Sequence, residues 1–211
     1  MSPIYVLLGD GQDAFCLDCL DLGFNKKSIH EGIVLVATKE ESIMADHWIE
    51  NHKRDSWRKQ AKASGYRARS AFKLKQIQER FGLVRQGDTI LDVGCFPGGW
   101  SQVAVELVGP EGHVVGVDLE PCQPVEGAVL LTGDITDPYT QERVLEELGG
   151  NLINVIVSDI SPDITGKWDM DQSVAMTLVA DVFDFSLPLL KKGGAFTTKL
   201  FQGIGVQELI D

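Results

Sequence analysis

The sequence predicts an α/β fold, a doubly wound and mostly parallel sheet, and three observations carry that reading. The stretch Thr89 to Gln102, TILDVGCFPGGWSQ, reads as strand, glycine loop and helix start. After it, short β-forming runs alternate with helical segments, the pattern of parallel strands joined by crossover helices. Acidic residues stand at or just after the ends of successive strands, where such folds gather their ligand contacts.

Taken in order, the chain divides into three regions. Residues 1–43 form an amino-terminal extension of unknown role, with short strands expected at 5–8 and 32–37. Cys16-x-x-Cys19 offers half of a metal site, but no second pair exists and His30 and His47 are badly placed, so no metal is expected. At Met44 the composition changes abruptly. Residues 44–86 read as a basic, helical, RNA-facing segment, with one helix-compatible stretch at 45–62 and a second helix at 66–81. In the second, Ala71, Leu74, Ile77 and Phe81 share one apolar face, and Lys73 projects from its margin. A single lysine there reads, by itself, as a solvated surface residue. The core, 87–211, has strands expected at 89–93, 113–118, 128–132, 154–158 and 194–200. Helices are expected at 101–108, 141–148 and 174–190, the last ended or kinked by Pro188.

Composition bounds the function. With 211 residues the chain holds one α/β domain and a short appendage. No apolar run approaches the roughly 18 residues that cross a bilayer. The apolar patch Ile4 to Leu8 lacks the basic start of a secretion signal. Four cysteines do not make a disulfide scaffold, so a cytoplasmic location without a membrane partner is expected. The net charge of −12 argues against nucleic acid until its distribution is seen. Lys53 to Arg85 holds eleven of the nineteen Lys and Arg against only Asp55 and Glu79, so this stretch is +9 and the remainder −21. Alternation with Trp57, Tyr66 and Phe72 fits a phosphate-tracking surface with stacking groups. The charge alone fits a solvated helix face equally well.

The glycine loop narrows the ligand. It lacks G-x-x-x-x-G-K-[ST], which disfavours a phosphate-gripping loop, and it does not match G-x-G-x-x-G in register. Glycines allow close backbone approach, and the helix start offers free N–H groups to an anion. The carboxylate of Asp92 would repel a phosphate but not an amine or a sulfonium. This suits S-adenosylmethionine, which carries both cations and a carboxylate but no phosphate. Asp118, Asp134 and Asp159 follow strands two, three and four. One such acid is usually a cap or turn residue; three in succession point to a ligand. Asp118, eighteen residues after Trp100, suits both ribose hydroxyls, and Asp134 an adenine amino group.

Six segments then stand in order: SAFKL at Ser70, LDVGCFPGGWSQ at Leu91, VDL-P at Val117, GDI at Gly133, SDISPD at Ser158 and GGAFTTKLFQG at Gly193. From about Trp57 onward the chain resembles the FtsJ-like family of RNA ribose 2′-O-methyltransferases, whose sheet is Rossmann-like and S-adenosylmethionine-dependent. The resemblance implies methylation of a ribose 2′-hydroxyl, most often in large-subunit ribosomal RNA and there on a uridine, by a monomeric enzyme. It implies Gly98, Trp100, Asp118, Asp134 and Asp159 at the cofactor, and Lys73, Asp159 and Lys199 as three members of a Lys-Asp-Lys-Glu catalytic set. The family's glutamate lies beyond strand five, where two more strands, one antiparallel, normally follow. Glu208 is too early to be it, so none is assigned. The chain is therefore expected to be truncated, weakly active, open at the sheet edge beside Lys199, and able to bind cofactor without residues 1–43.

The chemistry suits these types. Positioning a hydroxyl for in-line attack can supply roughly 7–11 kcal/mol. The remaining need is removal of its proton. A lysine serves as base only when burial and a second cation bring it from about 10.4 toward roughly 7–8. Lys199 is the candidate base, Lys73 its neighbour and substrate orienter, and Asp159 the organiser of both; a charged Lys199 that only steers the hydroxyl is the simpler alternative. The turn Asp159-Ile160-Ser161-Pro162 lacks the N/D-P-P-aromatic pattern of amino-group methyltransferases, and neither Cys95 nor Cys122 is placed as a nucleophile for carbon methylation. Transfer-RNA anticodon-loop ribose is the alternative target, and a non-catalytic RNA-binding module the alternative class.

Overall fold

Apolar β-forming runs supply the strands, and glycine or an acid closes most of them. The computed structural model describes residues 4–8, 64–161, 165–166 and 168–199. In chain order these give β1 (Ile4–Leu8), α1 (Ala71–Phe81), β2 (Thr89–Val93), α2 (Gly99–Val108), β3 (His113–Asp118) and β4 (Ala128–Thr132). There follow α3 (Pro138–Leu148), β5 (Ile153–Ser158), α4 (Trp168–Ser186), a 3-10 turn (Leu187–Leu189) and β6 (Leu190–Lys199). The sheet order is β1-β6-β5-β2-β3-β4. From β6 to β4 every neighbouring pair is parallel, and β1 joins β6 antiparallel.

This is the expected doubly wound architecture. All five residues of β2 are buried, as a central strand covered on both faces must be. From β2 the chain winds outward to β3 and β4, then returns to β5 and β6 on the other side. The strand order therefore reverses between β2 and β5, and the crevice at their carboxyl ends is where such folds bind ligands. Leu74 and Ile77 of α1 join Ile90, Leu91, Ile156 and Phe196 in one core, each worth about 1.5–3 kcal/mol when fully buried. Phe183 of α4 meets Phe196 edge to face, 5.4 Å between ring centroids.

Several boundaries differ from expectation for local reasons. The expected helix at 66–81 begins at Ala71, because Gly65 to Ser70 form turns. α3 begins at Pro138, since Asp137 caps it through Thr140 N–H at 3.1 Å and proline suits the first helical position. β6 begins at Leu190 rather than Gly194. The strand runs through Lys191-Lys192-Gly193-Gly194 with a register shift opposite Ile153 and Val155. A Cβ on Gly194 would lie 2.8 Å from the carbonyl of Asn154, which explains glycine there.

One expectation is corrected. The sheet edge beside Lys199 is not open: β1 covers it, with Ile4 opposite Lys199 and Leu8 opposite Ala195. The row of backbone donors and acceptors on β6 is paired by a strand that lies at the other end of the sequence, a contact that no local pattern reports. The expected strand at 32–37, the helix at 45–62, Cys16-x-x-Cys19 and everything after Lys199 lie outside the described residues. Among the described residues no helix is long and apolar enough to cross a membrane.

Candidate active site

The loop from Gly94 to Gly98 leaves β2 and enters α2. Gly94 has φ +79, and a Cβ there would lie 2.8 Å from the backbone of Ile160, so this loop and the one after β5 approach as closely as glycine allows. Gly98 caps α2 in the left-handed region at φ +105. Asp118 closes the third side at the end of β3. Its Oδ2 accepts from Phe96 N–H and its Oδ1 from Glu120 N–H, both at 2.9 Å. Each oxygen keeps lone-pair capacity for a further donor. Asp134, exposed after β4, uses Oδ1 to accept from the N–H (2.9 Å) and hydroxyl (2.7 Å) of Thr136, the turn role that a lone acid at a strand end usually has.

Asp159 and Lys199 stand at the ends of β5 and β6. Ser158 pairs with Thr198 in register, so the next residue on each parallel strand is Asp159 and Lys199. Lys199 Nζ lies 3.3 Å from Asp159 Oδ1, and both side chains are mostly covered, 14% and 23% exposed. Lys73 rides on the first turn of α1. That helix is held against α2 by the Trp100 indole N–H, which donates to Ser70 O at 2.8 Å. The Trp100 side chain is thus buried in the contact between α1 and α2, which leaves its backbone for any cofactor contact. Tyr66 adds a second tie: its hydroxyl donates to the Glu106 carboxylate, and Lys75 Nζ lies 3.1 Å from the same group.

Beneath the loop lies Asp92. It has no exposed surface, its Oδ2 accepts from Ser101 Oγ at 2.6 Å, and its Oδ1 has no partner among the described residues. Burial pushes its carboxyl up to about 7 against the pull of Ser101, and the charges of Asp159 and Asp118 add to the rise. Two hydroxyls nearby in the sheet, Ser158 Oγ and Thr197 Oγ1, are likewise buried without partners. The acid that the sequence places at the loop is therefore fully buried, which corrects the expectation that it meets the ligand directly.

Three relationships escape the sequence: Ser101 on Asp92, the Trp100 tie to Ser70, and the thiols of Cys95 and Cys122, 3.7 Å apart and both free. Burial raises both thiols above their ordinary range, which makes them poor nucleophiles at neutral pH. Among the described residues no cluster of three His, Cys, Asp or Glu could hold a metal ion.

A parallel sheet whose strand order reverses beside a glycine loop defines a protein of the Rossmann-like α/β class. The chain belongs to the FtsJ-like methyltransferase family, whose model matches residues 66–211. It is 40% identical over 161 residues to Ribosomal RNA large subunit methyltransferase E of Alkalilimnicola ehrlichii, covering 76% of this chain and 77% of that one. The same-named protein of Methanoculleus marisnigri is 45% identical over 167 residues, 79% of each chain. Among solved structures, a Plasmodium falciparum protein assigned as a ribosomal RNA methyltransferase superposes with a TM-score of 0.65 at 24% identity, covering 68% of this chain and 83% of its own. That likeness concerns the fold.

Proposed function

We propose that this chain transfers a methyl group from S-adenosylmethionine to a ribose 2′-hydroxyl of RNA, with a uridine of large-subunit ribosomal RNA as target. The observation that carries the reading is the Lys199–Asp159 pair at the strand ends beside the glycine loop. The names of the relatives, both large-subunit ribosomal RNA methyltransferases, support the substrate. The basic run from Lys53 to Arg85 supports an RNA partner.

The residues fit the cofactor. Asp118 can accept ribose hydroxyls beyond its two backbone donors, and Gly94 and Gly98 allow close approach. Asp134 retains Oδ2 for an amino group. S-adenosylmethionine, when bound, supplies an electrophilic methyl on a sulfonium.

The protein's own part is positioning and proton removal. As base, the Lys199 amine would take the 2′-hydroxyl proton onto Nζ, and Asp159, 3.3 Å away, would steady the ammonium that results; loss of its methyl would leave the cofactor as the neutral sulfide. Lys73, placed by the contact between α1 and α2, orients the substrate. A ribosomal target is consistent with action in the cytoplasm, and the resemblance implies a monomer.

A single-turnover assay tests this, with the chain in excess over large ribosomal subunits or bulk transfer RNA and labelled S-adenosylmethionine. Label on one ribose of the large-subunit RNA is expected. Label on transfer RNA alone would replace the substrate, and cofactor binding without transfer to any RNA would leave only a binding module.

A further inference from the structure

Arg67 belongs to the basic run read as RNA-facing, and although the residue is exposed its guanidinium donates to backbone carbonyls of the protein. Nη1 donates to Gln123 O at 2.5 Å and lies 3.5 Å from Pro97 O, while Nη2 donates to Pro124 O at 2.6 Å. Pro97 belongs to the glycine loop after β2. Gln123 and Pro124 belong to the loop after β3, which starts at Asp118. One planar group therefore bridges the two loops that flank the ribose-binding acid, and its several N–H donors in a fixed fork suit carbonyls that lie in different directions.

Its main chain is anchored too. Arg67 N–H donates to Gln102 Oε1 at 3.0 Å, and Gln102 Nε2 donates back to Gly65 O at 3.2 Å. A Cβ on Gly98 would come within 2.8 Å of Arg67 Nη1, so this glycine answers to the arginine as well as to its own φ. Phe96, between Gly94 and Gly98, donates its N–H to Asp118 across the same seam. A guanidinium whose donors are engaged with carbonyls has few left for a phosphate.

We infer that Arg67 is a positioning residue for the cofactor: it clamps the loops after β2 and β3 so that Gly98 and Asp118 keep their spacing, and it is not a phosphate ligand. The inference rests on the S-adenosylmethionine reading above. It sets Arg67 apart from the reading of residues 44–86 as an RNA-facing segment.

Arg67→Ala and Arg67→Lys in the full 211-residue chain test it. Three quantities are measured for each: S-adenosylmethionine affinity by calorimetry, the melting midpoint without cofactor, and the slope of affinity for purified large-subunit ribosomal RNA against salt. For Arg67→Ala the expected result is cofactor affinity roughly tenfold weaker or more. The RNA slope should stay at the wild-type value. Arg67→Lys keeps the charge but not the fork, so it should lose part of the cofactor affinity at an unchanged midpoint. It also answers the question if the alanine variant fails to fold. A general structural role would instead lower the midpoint and leave cofactor affinity of the folded lysine variant intact, which overturns the clamp. So would cofactor affinity within twofold of wild type in both variants, or an RNA slope reduced by about one contact in the alanine variant alone. If the wild-type chain itself binds no S-adenosylmethionine, the cofactor reading fails first and the clamp falls with it.

Discussion

Ser101 Oγ donates to Asp92 Oδ2 at 2.6 Å, a bond made to a carboxyl that has no contact with water. Its folded-state carboxyl is raised to about 7, chiefly by burial, from an ordinary value of 3.8. The folded protein therefore holds a proton that the unfolded chain has released anywhere between those values. Stability contributed by the neutral form is complete below pH 3.8 and lost as pH rises through 7, on the order of a few kcal/mol. Asp92→Asn should be more stable than wild type at pH 8, and the gap should narrow as pH falls from 7 toward 4. Denaturant midpoints across that range measure it; a gap constant with pH would show that Asp92 is ionised throughout.

Cofactor binding and catalysis should separate by residue. Asp118→Ala removes the acceptor for ribose hydroxyls and should abolish S-adenosylmethionine binding. Lys199→Ala should leave binding nearly intact and slow methyl transfer by roughly 10²-fold or more. Equal loss of affinity in both variants would refute the assignment.

Lys199→Arg distinguishes a base from a fixed charge. Arginine keeps the positive charge beside Asp159 but does not give up its proton at accessible pH. If Nζ accepts the hydroxyl proton, the arginine variant is as inactive as the alanine one in single-turnover transfer. Substantial activity would assign the lysine to steering alone.

Trp100→Phe keeps a buried aromatic ring, smaller than the indole, and removes the donor to Ser70 O. The cost should be about 1 kcal/mol of stability. Because that bond seats the start of α1, transfer should fall more than cofactor affinity does. Parallel loss of both would show that Trp100 serves the cofactor rather than the helix that carries Lys73.

Deleting residues 1–8 removes β1 and uncovers the backbone edge of β6. The shortened chain should associate with rising concentration in sedimentation velocity, where the full chain does not. This adds to the expectation that the chain binds cofactor without residues 1–43. Cofactor binding can survive their loss, but the edge beside Lys199 then has no partner strand, and a monomeric deletion variant would show that β1 is not needed to cover it.

The sequence by itself determined the winding of the sheet, because period, glycine and strand-end acids are local signals. Thr89 to Val93 reads as a buried strand from five consecutive residues, and Pro97-Gly98-Gly99 as a turn into a helix from three. It also marked Asp159 and Lys199 by their motifs. That they form a pair was decided by tertiary structure, since the β5–β6 register alone sets one lysine beside one aspartate 40 residues away. The same holds for β1 on β6, for Ser101 beneath the loop, and for Arg67. Composition counts an arginine as a charge available to RNA. Only folding brings three backbone carbonyls to its guanidinium, which keeps its charge but commits much of its donor fork to the protein.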